Sequence, residues 1–186
     1  MAQRIVDFKQ SPSSADSWYG ARVRHGSLSV IPVEDMEMHD GQALYFFDTD
    51  ADIDIAGPKY YLFNVPNVAG NEYDVRVSVR LTAGALFEIF IDPTITLRGT
   101  RMTQHNRDHN GICSCAGQIA GYADPTVAHD GTRKAGHYLG GNFALVGDDV
   151  ASNKFMARLG TAYLIKVTVL ADNTRGSMYF EYSIEC

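Results

Sequence analysis

A chain of 186 residues with 16 lysines and arginines against 22 aspartates and glutamates, net −6, is long enough for one domain with a substantial core. It lacks the basic footprint of a protein that neutralises several phosphates, so nucleic acid is not an expected partner; with no apolar run of about 18 residues, neither is a membrane. Cys113, Cys115 and Cys186 do not make a disulfide framework, and the N-terminus lacks a secretory apolar stretch, so reduced thiols and synthesis in a cytosol are expected.

The first segment, 1–42, is poor in core residues: Ser11 to Ser17 is small and polar, and Glu34 to Asp40 is charged. A stretch that buries little cannot offset the entropy of ordering itself, so it is either a frayed terminus or ordered by a partner, and an extended N-terminal arm lying on a neighbour is the preferred reading. Residues 43–186 read as the domain proper. Asp48, Asp50, Asp52 and Asp54 form an acidic row at every second position, the pattern of a solvated strand or a guarded sheet edge; the glycine and glutamate of a calcium-binding loop are replaced by Ile53 and Lys59. Tyr73, Val75, Val77, Val79 and Leu81 alternate with polar residues and predict a strand with one face in the core. The short link Thr82-Ala83-Gly84 to Leu86–Ile91 suggests a hairpin.

The most informative feature comes next. Asp92-Pro93-Thr94-Ile95-Thr96-Leu97-Arg98-Gly99-Thr100 returns as Asp124-Pro125-Thr126-Val127-Ala128-His129-Asp130-Gly131-Thr132, each copy after an apolar stretch. Strands that bend at proline and leave through a Gly turn describe two equivalent corners of one closed β-domain, since two copies are too few for a solenoid. Beyond them Gly136 to Asn142 reads as a surface loop, and His25, His39, His129 and His137 as loop residues. Asp149 to Arg158 is the best candidate for a short helix, and Tyr163–Leu170 followed by Met178–Ile184 predicts a second hairpin. The whole reads as all-β, an antiparallel β-sandwich or jelly roll with an extended N-terminal arm.

Candidate chemistry is sparse. His105, His109, Cys113 and Cys115 offer imidazole and thiolate groups of the kind that hold zinc, but the Cys-x-Cys gap is tighter than ordinary zinc knuckles and the intervening residues read as loop; buried thiols beside exposed histidines account for them better. There is no nucleophile elbow, no zincin helix and no phosphate loop, so neither an enzyme nor a bound cofactor is expected. Trp18-Tyr19, Phe46-Phe47 and Tyr60-Tyr61 are adjacent aromatics, whose neighbours point to opposite faces of a strand; the outward members suit a protein interface better than a sugar platform.

The order of several motifs resembles a widespread family of small tailed-bacteriophage virion structural proteins. They are Asp52-Ile53-Asp54-Ile55-Ala56-Gly57-Pro58-Lys59-Tyr60, the Asp92-Pro93-Thr94-Ile95 corner with Gly99-Thr100, Asn106-Arg107 with Asn110, Thr161 to Lys166, and Asp172 to Arg175. This chain departs from the family loop at His105, Asp108 and His109 and at Cys113-Ser114-Cys115. The resemblance implies a β-sandwich capsid decoration, or cement, protein: made in the bacterial host cytoplasm, self-associated as a homotrimer, and bound to the major capsid protein on the outer surface of the assembled head. Residues from Ala2 to Asp40, with Phe8, Trp18 and Tyr19, are then expected to contact the capsid or a neighbouring protomer. The loop from Thr100 to Gly117, with Asn106, Arg107 and Asn110, is expected to face the trimer axis or the lattice. The alternative is a tail- or fibre-associated adhesin that binds host glycan through exposed aromatics.

Overall fold

The computed structural model describes residues 5–7, 19–24, 27–32, 42–53, 57–107, 116–139 and 151–185. In chain order their strands are β1 (Ile5–Asp7), β2 (Tyr19–Arg24), β3 (Ser27–Pro32), β4 (Ala43–Ile53), β5 (Lys59–Asn64), β6 (Glu72–Leu81), β7 (Ala85–Ile91) and β8 (Thr94–Leu97). They continue with β9 (Thr100–Arg101), β10 (Gln104–Asn106), β11 (Ala120–Ala123), β12 (Thr126–His129), β13 (Thr132–Leu139), β14 (Ala151–Ala157), β15 (Ala162–Val169) and β16 (Thr174–Glu185). No helix occurs among the described residues. The chain divides into two compact units, Met1–Ala43 with Asn106–Ser114, and Leu44–His105 with Cys115–Cys186.

In the smaller unit β1, β2 and β3 form an antiparallel sheet, with Ile5 opposite Arg22 and Tyr19 opposite Pro32. Part of the stretch read from sequence as an arm is thus paired with itself. The larger unit holds a five-stranded sheet, β10-β4-β16-β6-β14, and a six-stranded sheet, β13-β7-β15-β5-β11-β9. Their inner faces meet through rings: Phe63 of β5 stacks on Phe180 of β16 at 3.7 Å between centroids, and Phe46 of β4 lies 5.6 Å from Phe63. The predicted alternation of β6 holds, with Tyr73, Val75, Val77 and Val79 all buried. The hydroxyls of the core tyrosines are satisfied rather than stranded: Tyr73 donates to the Gly117 carbonyl, and Tyr182 accepts from the Ile119 amide at 3.1 Å, tying down 116–119 ahead of β11.

Neither predicted hairpin forms. β6 and β7 lie in different sheets, as do β15 and β16, so both short links are arches that carry the chain from one layer to the other. The two arches brace each other: the Thr82 amide donates to the Arg175 carbonyl at 2.9 Å, and the Arg175 amide donates to Thr82 Oγ1 at 2.8 Å. The helix expected at Asp149–Arg158 is also corrected. That segment contains β14, paired with β6 from Ala151 opposite Val79 to Ala157 opposite Tyr73. Its period is two, with the half-buried Phe155 and buried Ala157 alternating with the exposed Lys154, Met156 and Arg158, and sheet pairing overrides a weak helical preference. β13 likewise claims Gly136 and His137, which the sequence suggests as loop.

The repeat builds the outer layer. Asp92 and Asp124 both adopt positive φ, +54° and +53°, and each ends a strand, β7 and β11. Their amides donate to equivalent carbonyls at 3.0 Å, Asp92 to Ala162 at the start of β15 and Asp124 to Tyr60 near the start of β5. β8 and β12 pair with each other as a two-stranded antiparallel ribbon. Each outgoing strand then joins the other copy's incoming strand: β9 pairs with β11, and β13 pairs with β7. The six-stranded sheet is therefore symmetric about the β15–β5 pair. The ribbon runs from one flank of that pair to the other, which is why Leu62, Leu164 and Phe90, on the face away from the sandwich core, are buried as well.

Candidate functional site

Among the described residues, two places outside the core gather chemistry-bearing side chains. The first lies beneath the ribbon. Asp130, just after β12, receives Lys166 Nζ of β15 at 2.6 Å and the Tyr60 hydroxyl of β5 at 3.3 Å, while Lys166 sits over the Tyr60 and Phe90 rings at 5.7 and 5.9 Å. Burial raises the pKa of Tyr60, and the Asp130 charge raises it further. For Lys166 burial acts downward, but its bond to Asp130 and the nearby charges outweigh it, and the net direction is upward. At neutral pH Tyr60 is therefore a phenol and Lys166 an ammonium, with neither phenolate nor amine free to act as base or nucleophile. The cluster fastens the ribbon corner to the sheet.

The sign of its pH dependence follows. Both raised groups are held in their protonated forms by the fold, so their contribution is complete below the unfolded-state values and is lost as pH rises through the folded-state ones. Urea unfolding should give a stability that falls above about pH 10. Asp130→Asn, which removes the carboxylate partner, should cost about 1–2 kcal/mol at neutral pH and flatten that alkaline fall. An alkaline limb identical in wild type and variant would disprove the assignment.

The second place is the outer face of the five-stranded sheet. Because Phe46, Phe180 and Tyr182 point into the core, strand parity turns Tyr45, Phe47 and Tyr179 outward. His105 of β10, Tyr45 of β4 and Tyr179 of β16 stack in a row across three neighbouring strands, with centroids 5.2 and 5.1 Å apart and planes inclined by 25° and 29°. The spacing is close to the strand separation of about 4.8 Å, so each ring stacks on the next along the hydrogen-bonding direction. Phe47 on the same strand is 51% exposed, a large apolar group left in water. Both faces of Tyr45 are taken by its neighbours. A sugar needs an open ring face, whereas a protein surface can use edges, hydroxyls and the adjoining phenyl group together. No family model, curated protein or solved structure matches this chain.

Of the residues singled out by sequence, His105 enters the ring row and is exposed. His109, Cys113 and Cys115, the other members of the zinc candidate, lie outside the described residues, as do Phe8, Trp18 and Asn110. Tyr19 is the first residue of β2. Asn106 is half-buried at the end of β10, and the exposed Arg107 donates its amide to the Ala43 carbonyl at 3.0 Å. The acidic row runs along β4 at Asp48, Asp50 and Asp52; β4 lies between β10 and β16, with the three-residue β10 placed at the Ala43–Tyr45 end of the strand, and Asp54 lies outside the described residues. Phe46-Phe47 splits as expected into core and surface, but Tyr60 of the Tyr60-Tyr61 pair is half-buried beside the ribbon corner. Tyr45 and Tyr179 were legible only through parity: each is one residue before a core aromatic.

Proposed function

We propose that the protein is a structural component of a bacteriophage particle, a decoration (cement) protein that binds the outer surface of the assembled head and bridges capsid subunits. The virion assignment rests on the order of its sequence motifs. The observation that favours surface binding over catalysis is the outer ring row with Phe47, a flat and partly apolar face on a rigid sheet. In this reading the body is jelly-roll-like, residues 1–42 act as an arm on a neighbour, and the working assembly is a homotrimer on the major capsid protein. A ligand that binds assembled shell and not free subunits lowers the free energy of the assembled state. Individually weak contacts suffice, because one oligomer engages several capsid subunits at once.

Quantitative mass spectrometry of purified particles against the major capsid protein, with the solution mass of the isolated protein, tests this. Copies on the order of hundreds per particle and a trimer in solution are the expected result, since a lattice offers many equivalent sites. A few copies per particle would move the protein to the neck, tail or fibres. Deleting residues 2–40 from a chain whose β-domain still folds should abolish particle binding, and full occupancy without them would refute the arm's role. The second reading, a glycan-binding adhesin, draws on the exposed Phe47 beside the rings; a saturable sugar-dependent interaction on a glycan array would favour it.

A further inference from the structure

The two sheets of the larger unit part along one side, where β13 ends the six-stranded sheet and β14 ends the five-stranded one. Between them is an open cleft of about 370 Å³. Ile89, Ile91, Phe155 and Tyr163 supply apolar lining, with the Phe155 and Tyr163 rings 5.2 Å apart across the two layers. Met156, 58% exposed, stands on the β14 side. Among the described residues, the charged members of the lining are Lys134, Lys154 and Arg158, three cations and no acid, in a chain whose net charge is −6. Lys154 is paired with Asp74 at 2.8 Å. Lys134 is the extra residue of a β-bulge between Arg133, opposite Phe90, and Ala135, opposite Ile89. The bulge lets Arg133 reach Glu88 at 3.0 Å while Lys134 is given to the cleft.

Two terminal strands flanking an apolar floor under a cationic rim suit an extended peptide that is itself acidic and carries flexible apolar side chains. Its backbone can hydrogen-bond a sheet edge, and its carboxylates can meet the rim. The chain contains such a segment. Between β3 and β4, Val33-Glu34-Asp35-Met36-Glu37-Met38-His39-Asp40 sets four carboxylates around two methionines, residues that fill irregular apolar gaps well.

We propose that the β13–β14 cleft receives the acidic segment 33–40 of a second copy of this chain. The inference gives the self-association expected of the proposed function a specific contact. It is tested on purified protein without particles, so failure of peptide binding or of the charge reversals would leave the copy-number test intact, and the reverse also holds; a monomeric wild type alone would count against both this contact and the proposed trimer.

Sedimentation of the full chain over a range of concentrations reads it out. Wild type should associate, and the association should weaken with added salt. Lys134→Glu with Arg158→Glu should raise the dissociation constant by about tenfold or more, as should Asp35→Lys with Glu37→Lys, and combining all four changes in one chain should restore much of the loss. Since Lys134 and Arg158 are exposed, the melting temperature of the cleft variant should stay near that of wild type. A labelled peptide of residues 33–40 provides a second measurement that needs no variant: saturable, salt-sensitive binding to the full chain supports the proposal, and no binding up to millimolar peptide overturns it. A wild type that stays monomeric at every concentration overturns it as well. So does association that neither charge reversal weakens, which would shift the contact to another face such as the ring row. Decanoate binding in the cleft without self-association would assign the site to a small amphiphilic anion and equally overturn it.

Discussion

Gly131→Ala, measured by urea unfolding, should cost the fold about 3–5 kcal/mol, among the largest losses available to so small a change. Gly131 holds φ at +93°, and a Cβ there would meet the Ile91 carbonyl oxygen at 2.2 Å and the Asp92 carbonyl carbon at 2.9 Å. These are backbone atoms at the other copy's bend, and they cannot swing aside as a side-chain tip would. Gly99→Ala should behave alike, since its Cβ would come within 2.1 Å of the Ala123 oxygen and 2.7 Å of Asp124. The control is Gly70→Ala, at φ +92° with nothing within 4 Å, where only the backbone conformation is penalised, by about 1–2 kcal/mol. Equal losses at Gly131 and Gly70 would mean that the close crossing of the two corners does not constrain the fold.

Phe63→Ala should cost about 3–5 kcal/mol. Phe63 is wholly buried, stacked on Phe180 and in contact with Phe46, so its removal opens a void at the centre of the sandwich and takes the nearest ring neighbour from Phe180 and from Phe46. Phe47→Ala, one position from a core ring but outward, should stay within about 0.5 kcal/mol of wild type. Thermal unfolding of the two variants side by side tests the assignment of faces; a large loss at Phe47 would reverse it. If the outer face is the docking surface, Phe47→Ala should weaken particle binding without weakening the fold.

The strands that read clearly in sequence are those with one dry face. Tyr73 to Val79 alternate because the other side of β6 meets water, and the pattern survives intact. The repeat was also legible, since Asp-Pro and Gly-Thr mark bends by their own backbone preferences. What escaped is where the strands go. Thr82-Ala83-Gly84 is short enough for a hairpin, yet a short link can equally lift the chain into the facing layer, and only the partners of β7 decide which. Asp149–Arg158 failed for a related reason: Phe155 and Met156 are adjacent apolar residues, which blurs the period, and β14 is fixed by the edge of β6 rather than by its own sequence. That error also concealed the cleft, because the neighbours Met156 and Arg158 belong to its wall only once the segment is extended. The ring row was hidden differently: Tyr45, His105 and Tyr179 lie far apart in sequence, and cross-strand register brings them together.

The exchange of strands between the two repeat corners bears on how quickly the chain can fold. β13 cannot settle until β7 is in place, β9 needs β11, and the central pair at their axis joins Lys59 to Val167. Little of this can form from neighbours in sequence, so much of the loop-closure entropy must be lost before the rewarding contacts appear. Folding should accordingly take milliseconds to seconds rather than microseconds, as for other domains built from distant strand pairings. While it waits, β7 and β11 present unpaired edges, and at high synthesis rates those edges would be the first to join strands of the wrong molecule.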